Sequence, residues 1–123
     1  MPLTDKHNEK YVHNKRLLNN SNFRNAFSDW FVTVLFYGAV HLVERELTAY
    51  NHHSKTHNDR RMWVARTPSL KEVSAAYESL YIQSRRARYE CVKMTSQDVE
   101  KAEELFEKIE THLNTKTSVT QEK

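Results

Sequence analysis

Apolar residues recur along this chain at helical spacing, and no stretch alternates convincingly with period two. The strongest pattern predicts a long helix over roughly Phe23 to Tyr50. There Phe23, Phe27, Trp30, Phe31, Val34, Gly38, His41 and Leu42 share one face, and Leu35, Ala39 and Val43 fill much of another. A helix apolar on most sides sits centrally in its bundle. Gly38 costs it about 1 kcal/mol against alanine, which close approach of a neighbouring helix would justify. Before it, a helix with thin apolar content (Tyr11, Val12, Leu17, Leu18) is expected over roughly His7 to Asn20, behind Thr4 or Asp5 as cap.

Polar punctuation sets the remaining boundaries. In "THNDRRMW", Thr56 can cap the amide of Asp59 and start a short third helix. "TPSLKE" opens a fourth, through Thr67 and Pro68 or through a capping box from Ser69 to Glu72. Its stripe is Leu70, Val73, Tyr77, Leu80, Ser84, Ala87 and Cys91. "TSQD" is a box-like start for a fifth helix, which buries Val99, Ala102, Leu105, Phe106, Ile109 and Leu113. The expected architecture is an all-α, antiparallel four-to-five-helix bundle. It forms one domain over residues 1–113, followed by a polar, frayed tail over 114–123.

Composition sharpens this picture. A chain of 123 residues can close one hydrophobic core, and one glycine with two prolines leaves little material for β-turns. The single cysteine, Cys91, excludes an intrachain disulfide and a cysteine-rich zinc site. A net charge of +3 permits phosphate contact without demanding it. "MPLTDKHNEK" lacks the apolar run of a secretory signal, and "WFVTVLFYGAVHLV" is too short to span a bilayer. A cytoplasmic protein with no membrane association is expected.

Three features carry candidate chemistry. "NHHSKTHNDRRMW" gathers His52, His53 and His57, yet neighbouring His52 and His53 diverge on a helix and no spaced carboxylate or thiolate joins them. No metal and no cofactor is therefore expected, and a polar helix–helix connection is the simplest reading. His57 and Arg60, three apart, share a helix face and pair an acid–base group with a cation suited to a developing phosphorane. His41, in the apolar helix, reads best as a core histidine bonded to a backbone carbonyl or a tyrosine hydroxyl. In "YESLYIQSRRARYE", Tyr81, Arg85 and Arg88 recur at one helical face with Tyr89 beside them. Such a face suits phosphate contact and base stacking. Alternatively, its arginines pair with the acidic last helix, "VEKAEELFEKIE".

The order "WFVTVLFYGAVHLVERELTAY", "HHSKTHNDRR", "AYESLYIQSRRARYE" and an acidic last helix resembles the HEPN (higher eukaryotes and prokaryotes nucleotide-binding) family, over roughly Asn22 to Leu113. The resemblance implies a helical bundle that pairs into a homodimer with a functional cleft at the seam. Many members are metal-independent ribonucleases of toxin–antitoxin or phage-defence type, while others bind nucleotides or scaffold a partner. The family's arginine, four to six residues, histidine signature falls on Arg45 and His52 ("RELTAYNH"). Joined to the spacing of the other residues, the leading reading has Arg45 and Arg60 hold phosphate, His52 or His57 act as acid–base, and Tyr81, Arg85, Arg88 and Tyr89 position the RNA. RNA or a nucleotide is the expected ligand, and the resemblance to toxin-type members implies a cognate antitoxin or other partner protein. The alternative is a non-catalytic dimeric interaction or nucleotide-binding module.

Overall fold

The computed structural model describes residues 2–89 and 94–122, and among them every regular element is helical. In chain order these are α1 (Pro2–Leu18), α2 (Ser21–Ala26), α3 (Ser28–Ala49), α4 (His57–Arg66), a 3₁₀ turn (Lys71–Val73), α5 (Ser74–Tyr89) and α6 (Ser96–Glu122). The all-α bundle expected from the sequence is present, with more helices than the apolar pattern outlined. Cys91, assigned from the sequence to the stripe of α5, lies outside the described residues.

The long central helix is broken where apolar spacing alone continued it. Asn20 caps α2 by accepting from the Phe23 amide at 3.1 Å, and Phe27 (φ −131°, ψ 54°) ends that helix. α3 then starts at Ser28 with Asp29 in its first turn, where the helix dipole favours a carboxylate. The break changes which side chains face solvent. Phe27 and Trp30, expected on the core stripe, are 55% and 58% exposed. At its other end α3 closes in a Schellman motif. The His52 amide bonds to Leu47 O at 2.9 Å, and the Asn51 amide bonds to Thr48 O at 3.0 Å. Asn51 adopts φ 61°, the left-handed conformation that asparagine tolerates better than most residues.

Local capping chemistry places two later helices where the sequence put them. Thr56 Oγ1 accepts from the Asp59 amide at 3.0 Å to start α4. Thr95 Oγ1 accepts from the Asp98 amide at 3.1 Å, and the Asp98 carboxylate accepts from the Thr95 amide at 3.0 Å, a reciprocal box at the start of α6. The expected helix at "TPSLKE" begins later. Thr67 instead closes α4 by donating its amide to Trp63 O at 2.8 Å, and the chain passes through the 3₁₀ turn before α5. α6 runs from Ser96 to Glu122, and its buried apolar stripe reaches Leu113.

α3 is the hub, packed against α1, α5 and α6. Phe31, Val32, Leu35, Ala39, Leu42, Val43 and Leu47 are buried there, against Tyr77 and Leu80 of α5 and Phe106, Ile109 and Leu113 of α6. α3 and α5 run antiparallel: Asp29, Trp30 and Thr33 at the start of α3 line one cleft with Ala87, Arg88 and Tyr89 at the end of α5, and Phe36 further along α3 meets Tyr77 near the start of α5. α1 crosses α6 through Tyr11 and Lys15, both bonded to Glu110. Gly38 has the role its cost suggested: a Cβ there would lie 3.0 Å from Phe106 Cε1, so glycine lets α6 approach closely. Most apolar residues of α3 are thus covered within the chain, while Trp30 and Tyr37, with Phe27 just before the helix, are exposed. No helix among the described residues is long and apolar enough to cross a membrane.

Candidate nucleic-acid interface

Packing α4 and α5 onto α3 divides the predicted site residues into three groups. Arg45 turns away from the His52 loop toward α1 and α6. It donates to Asn8 Oδ1 at 3.0 Å and Asn114 Oδ1 at 2.9 Å, with its guanidinium 5.8 Å from the Tyr11 ring. His52 stacks on Trp63, ring centroids 4.0 Å apart. The two members of the arginine–histidine signature thus engage different partners on different sides of α3.

Arg60 belongs to the interior. Its Nε donates to Glu44 Oε1 at 2.7 Å, and the same oxygen accepts from Ser54. Glu44, only 6% exposed, sits in the apolar helix and needs a cation to balance its charge. Arg60 supplies it, tying α4 to α3. Burial works to lower the Arg60 pKa, but the bond to Glu44 and the nearby Tyr77 phenol raise it on balance. Burial likewise pushes the Tyr77 phenol up to about 12, against the pull of Arg60. His57 and Arg60 therefore start from one turn of α4 but take separate environments.

His57 joins the third group. Its ring stacks on Tyr81 with centroids 3.7 Å apart and meets Phe36 edge-on at 5.9 Å. Burial, reinforced by Arg60 and Arg61, lowers its pKa, so the imidazole is uncharged at neutral pH. Its Nε2 is buried without a hydrogen-bond partner among the described residues.

Around Tyr81 the side chains form a ladder of cations and rings along α5. The Arg61 guanidinium lies 5.7 Å from Tyr81, and Arg61 also pairs with Glu78. Arg85 lies 5.9 Å from Tyr81 and 5.3 Å from Tyr89. Arg88 lies 5.0 Å from Tyr89 and 5.7 Å from Tyr37. Arg88 is held by bonds to Ser84 O and Ser84 Oγ, both 3.2 Å, and to Tyr37 Oη at 3.1 Å. Those three bonds use three of its five N–H donors. The acidic last helix takes other cations: Glu110 pairs with Lys15, Glu103 with Arg24, and Asp98 lies 3.9 Å from Arg86.

Trp30, expected on the core stripe, and Tyr37, given no role from the sequence, also belong to this face. They stand seven apart on α3, the helical spacing of one face, and that interval was the available signal. With Tyr89 they are 58%, 42% and 63% exposed. His41 also differs from expectation. Its Nδ1 lies 2.9 Å from His7 Nδ1, so its partner is a second imidazole rather than a carbonyl or tyrosine. Burial first, then His7 and Lys10, lower its pKa to about 4. No cluster of metal-ligating side chains occurs among the described residues. No family model, curated protein or solved structure matches this chain.

Proposed function

We propose that this chain is a HEPN-like helical domain that binds single-stranded RNA along the α3–α5 face. One observation carries the reading: Arg85 and Arg88 alternate with Tyr81, Tyr89 and Tyr37 along one face, where Tyr37 and Tyr89 are exposed and Tyr81 and Arg88 half-buried. Single-strand binders combine these two elements, guanidinium groups for phosphates and rings on which bases stack. The bonds from Arg88 to Ser84 and Tyr37 fix its fork in advance, which lowers the ordering cost of gripping a phosphate. The preference for RNA rests on the HEPN resemblance and on His57, which stands in the same strip.

The test is fluorescence anisotropy with labelled single-stranded RNA and DNA of mixed sequence. Tyr89→Ala removes an exposed ring without opening the core, and loss of one stacked base costs about 1–3 kcal/mol, or roughly 5- to 150-fold in affinity. Wild-type affinity unchanged in Tyr89→Ala and Arg88→Ala would exclude this face.

A second reading, metal-independent RNA cleavage, is favoured by the uncharged imidazole of His57 beside Arg61 and Arg88. The imidazole would accept the 2′-hydroxyl proton as the 2′-oxygen bonds to phosphorus, an arginine would stabilise the phosphorane, and the 5′-oxygen would leave with a proton from the imidazolium or from water. Cleavage that survives EDTA, leaves 2′,3′-cyclic phosphate ends and falls by about 10²–10⁴-fold in His57→Ala supports it. Intact RNA after incubation with folded protein leaves binding alone.

A further inference from the structure

At one end of the ladder, the start of α3 and the end of α5 enclose a cleft of about 260 Å³ lined by Asp29, Trp30, Thr33, Ala87, Arg88 and Tyr89. Two of its walls are exposed aromatic rings, and Arg88 stands between them and the rest of the basic face. Pockets that enclose whole drug-sized ligands run from about 300 to 1,000 Å³. This cleft is smaller, sized for one planar ring system with its sugar and phosphate left outside, toward Arg88 and Arg85.

The polar groups of the cleft are selective. The Asp29 carboxylate can only accept hydrogen bonds. Thr33 donates its hydroxyl proton to Asp29 O at 2.9 Å, so the capacity left on its oxygen is also that of an acceptor. The α3 wall therefore asks for donors. Among the four bases, guanine alone presents two adjacent donors, N1–H and the N2 amino group, matched to the two oxygens of a carboxylate. Adenine and cytosine set a ring-nitrogen acceptor beside their amino group, and uracil flanks its N3–H with two carbonyls. Each would turn a lone pair toward the Asp29 carboxylate.

We infer that the Trp30–Tyr89 cleft is a guanine site, in which the base stacks against the two rings and its Watson–Crick edge bonds to Asp29. The inference deepens the RNA-binding reading and rests on it for the larger ligand, but the base site can be tested by itself. Its source is either a guanine within a single strand or a free guanine nucleotide, since both carry the same edge and a phosphate for Arg88.

The experiment is an NMR titration of the whole chain with GMP, AMP, CMP and UMP. It follows the Trp30 indole N–H signal, assigned by its loss in Trp30→Phe, with the Trp63 signal as internal control. GMP is expected to shift the Trp30 signal with at least about tenfold tighter binding than AMP, the lower range for a two-bond base contact. Asp29→Asn replaces one acceptor with a donor and should erase most of that preference while leaving the helical circular dichroism unchanged. Equal binding of all four nucleotides, or a preference intact in Asp29→Asn, overturns the inference. Parallel titrations with guanine-containing and guanine-free single strands separate the two readings. Strands that bind without guanine preference and without moving Trp30 leave RNA binding standing and remove the guanine site. GMP binding without strand binding does the reverse and makes the free nucleotide the ligand.

Discussion

Glu44→Ala removes the carboxylate that balances Arg60 and accepts from Ser54. The side chains of Arg60 and Glu44 retain only 18% and 8% of their exposure, so the substitution leaves a cation largely shielded from water. Breaking one side of such a pair costs about 3–5 kcal/mol, and the residual exposure of Arg60 places the expected loss near the lower figure, about 3 kcal/mol. For a chain of this size that corresponds to a fall in Tm of roughly 10 °C. Urea denaturation of Glu44→Ala, Arg60→Ala and the double variant measures it. The double variant should lose less than the sum of the singles, because neither charge is then stranded. If Arg60 is structural, Arg60→Ala below its melting temperature binds RNA as the wild type does. A loss under about 1 kcal/mol in Glu44→Ala, or RNA binding abolished in a fully stable Arg60→Ala, would refute the reasoning.

Gly38→Ala gains about 1 kcal/mol in helix propensity but places a methyl 3.0 Å from Phe106 Cε1 in a filled core. Net destabilisation by about 1 kcal/mol is expected, relieved when Phe106→Leu is added; a stabilised single variant would show that α6 gives way freely. The folded pKa of His41, about 4, lies below its ordinary value of 6.5. The unfolded chain therefore takes up the proton first, and the contribution of His41, complete above pH 6.5, is lost as the pH falls toward 4. His41→Gln should flatten the Tm–pH curve in that window, and an unchanged slope would assign it to other groups.

What could be read from the sequence was local. Thr56 with Asp59 and Thr95 with Asp98 are capping pairs three residues apart, and both form as the sequence suggested. The break at Phe27 was hidden because helical spacing of apolar residues runs through it, and only the backbone shows that Trp30 faces out. The candidate site depended on longer reach. Spacing placed His57 and Arg60 together on α4, yet Glu44, sixteen residues before Arg60, draws the arginine inward while Tyr81 holds the histidine. The unused signal was a carboxylate one turn from Val40 and from Leu47 on the apolar face, since a buried carboxylate requires a cation from elsewhere in the chain. The face of Tyr81, Arg85, Arg88 and Tyr89 was visible as periodicity, but its continuation onto Tyr37 and Trp30 needs the packing of α5 on α3.

The claim that this face grips a nucleic-acid backbone is tested most directly by the salt dependence of single-stranded RNA binding. Removing one cation that neutralises a phosphate lowers the steepness of log Kobs against log salt by about 0.7 for a single strand. The Arg85→Ala, Arg88→Ala double variant is predicted to bind more weakly, with a slope shallower by about 1.4. A control variant, Lys101→Ala with Lys108→Ala, removes two exposed cations from α6 and should match the wild type. A slope unchanged by removal of the two arginines, or reduced equally by removal of the two lysines, would contradict the assignment of the interface.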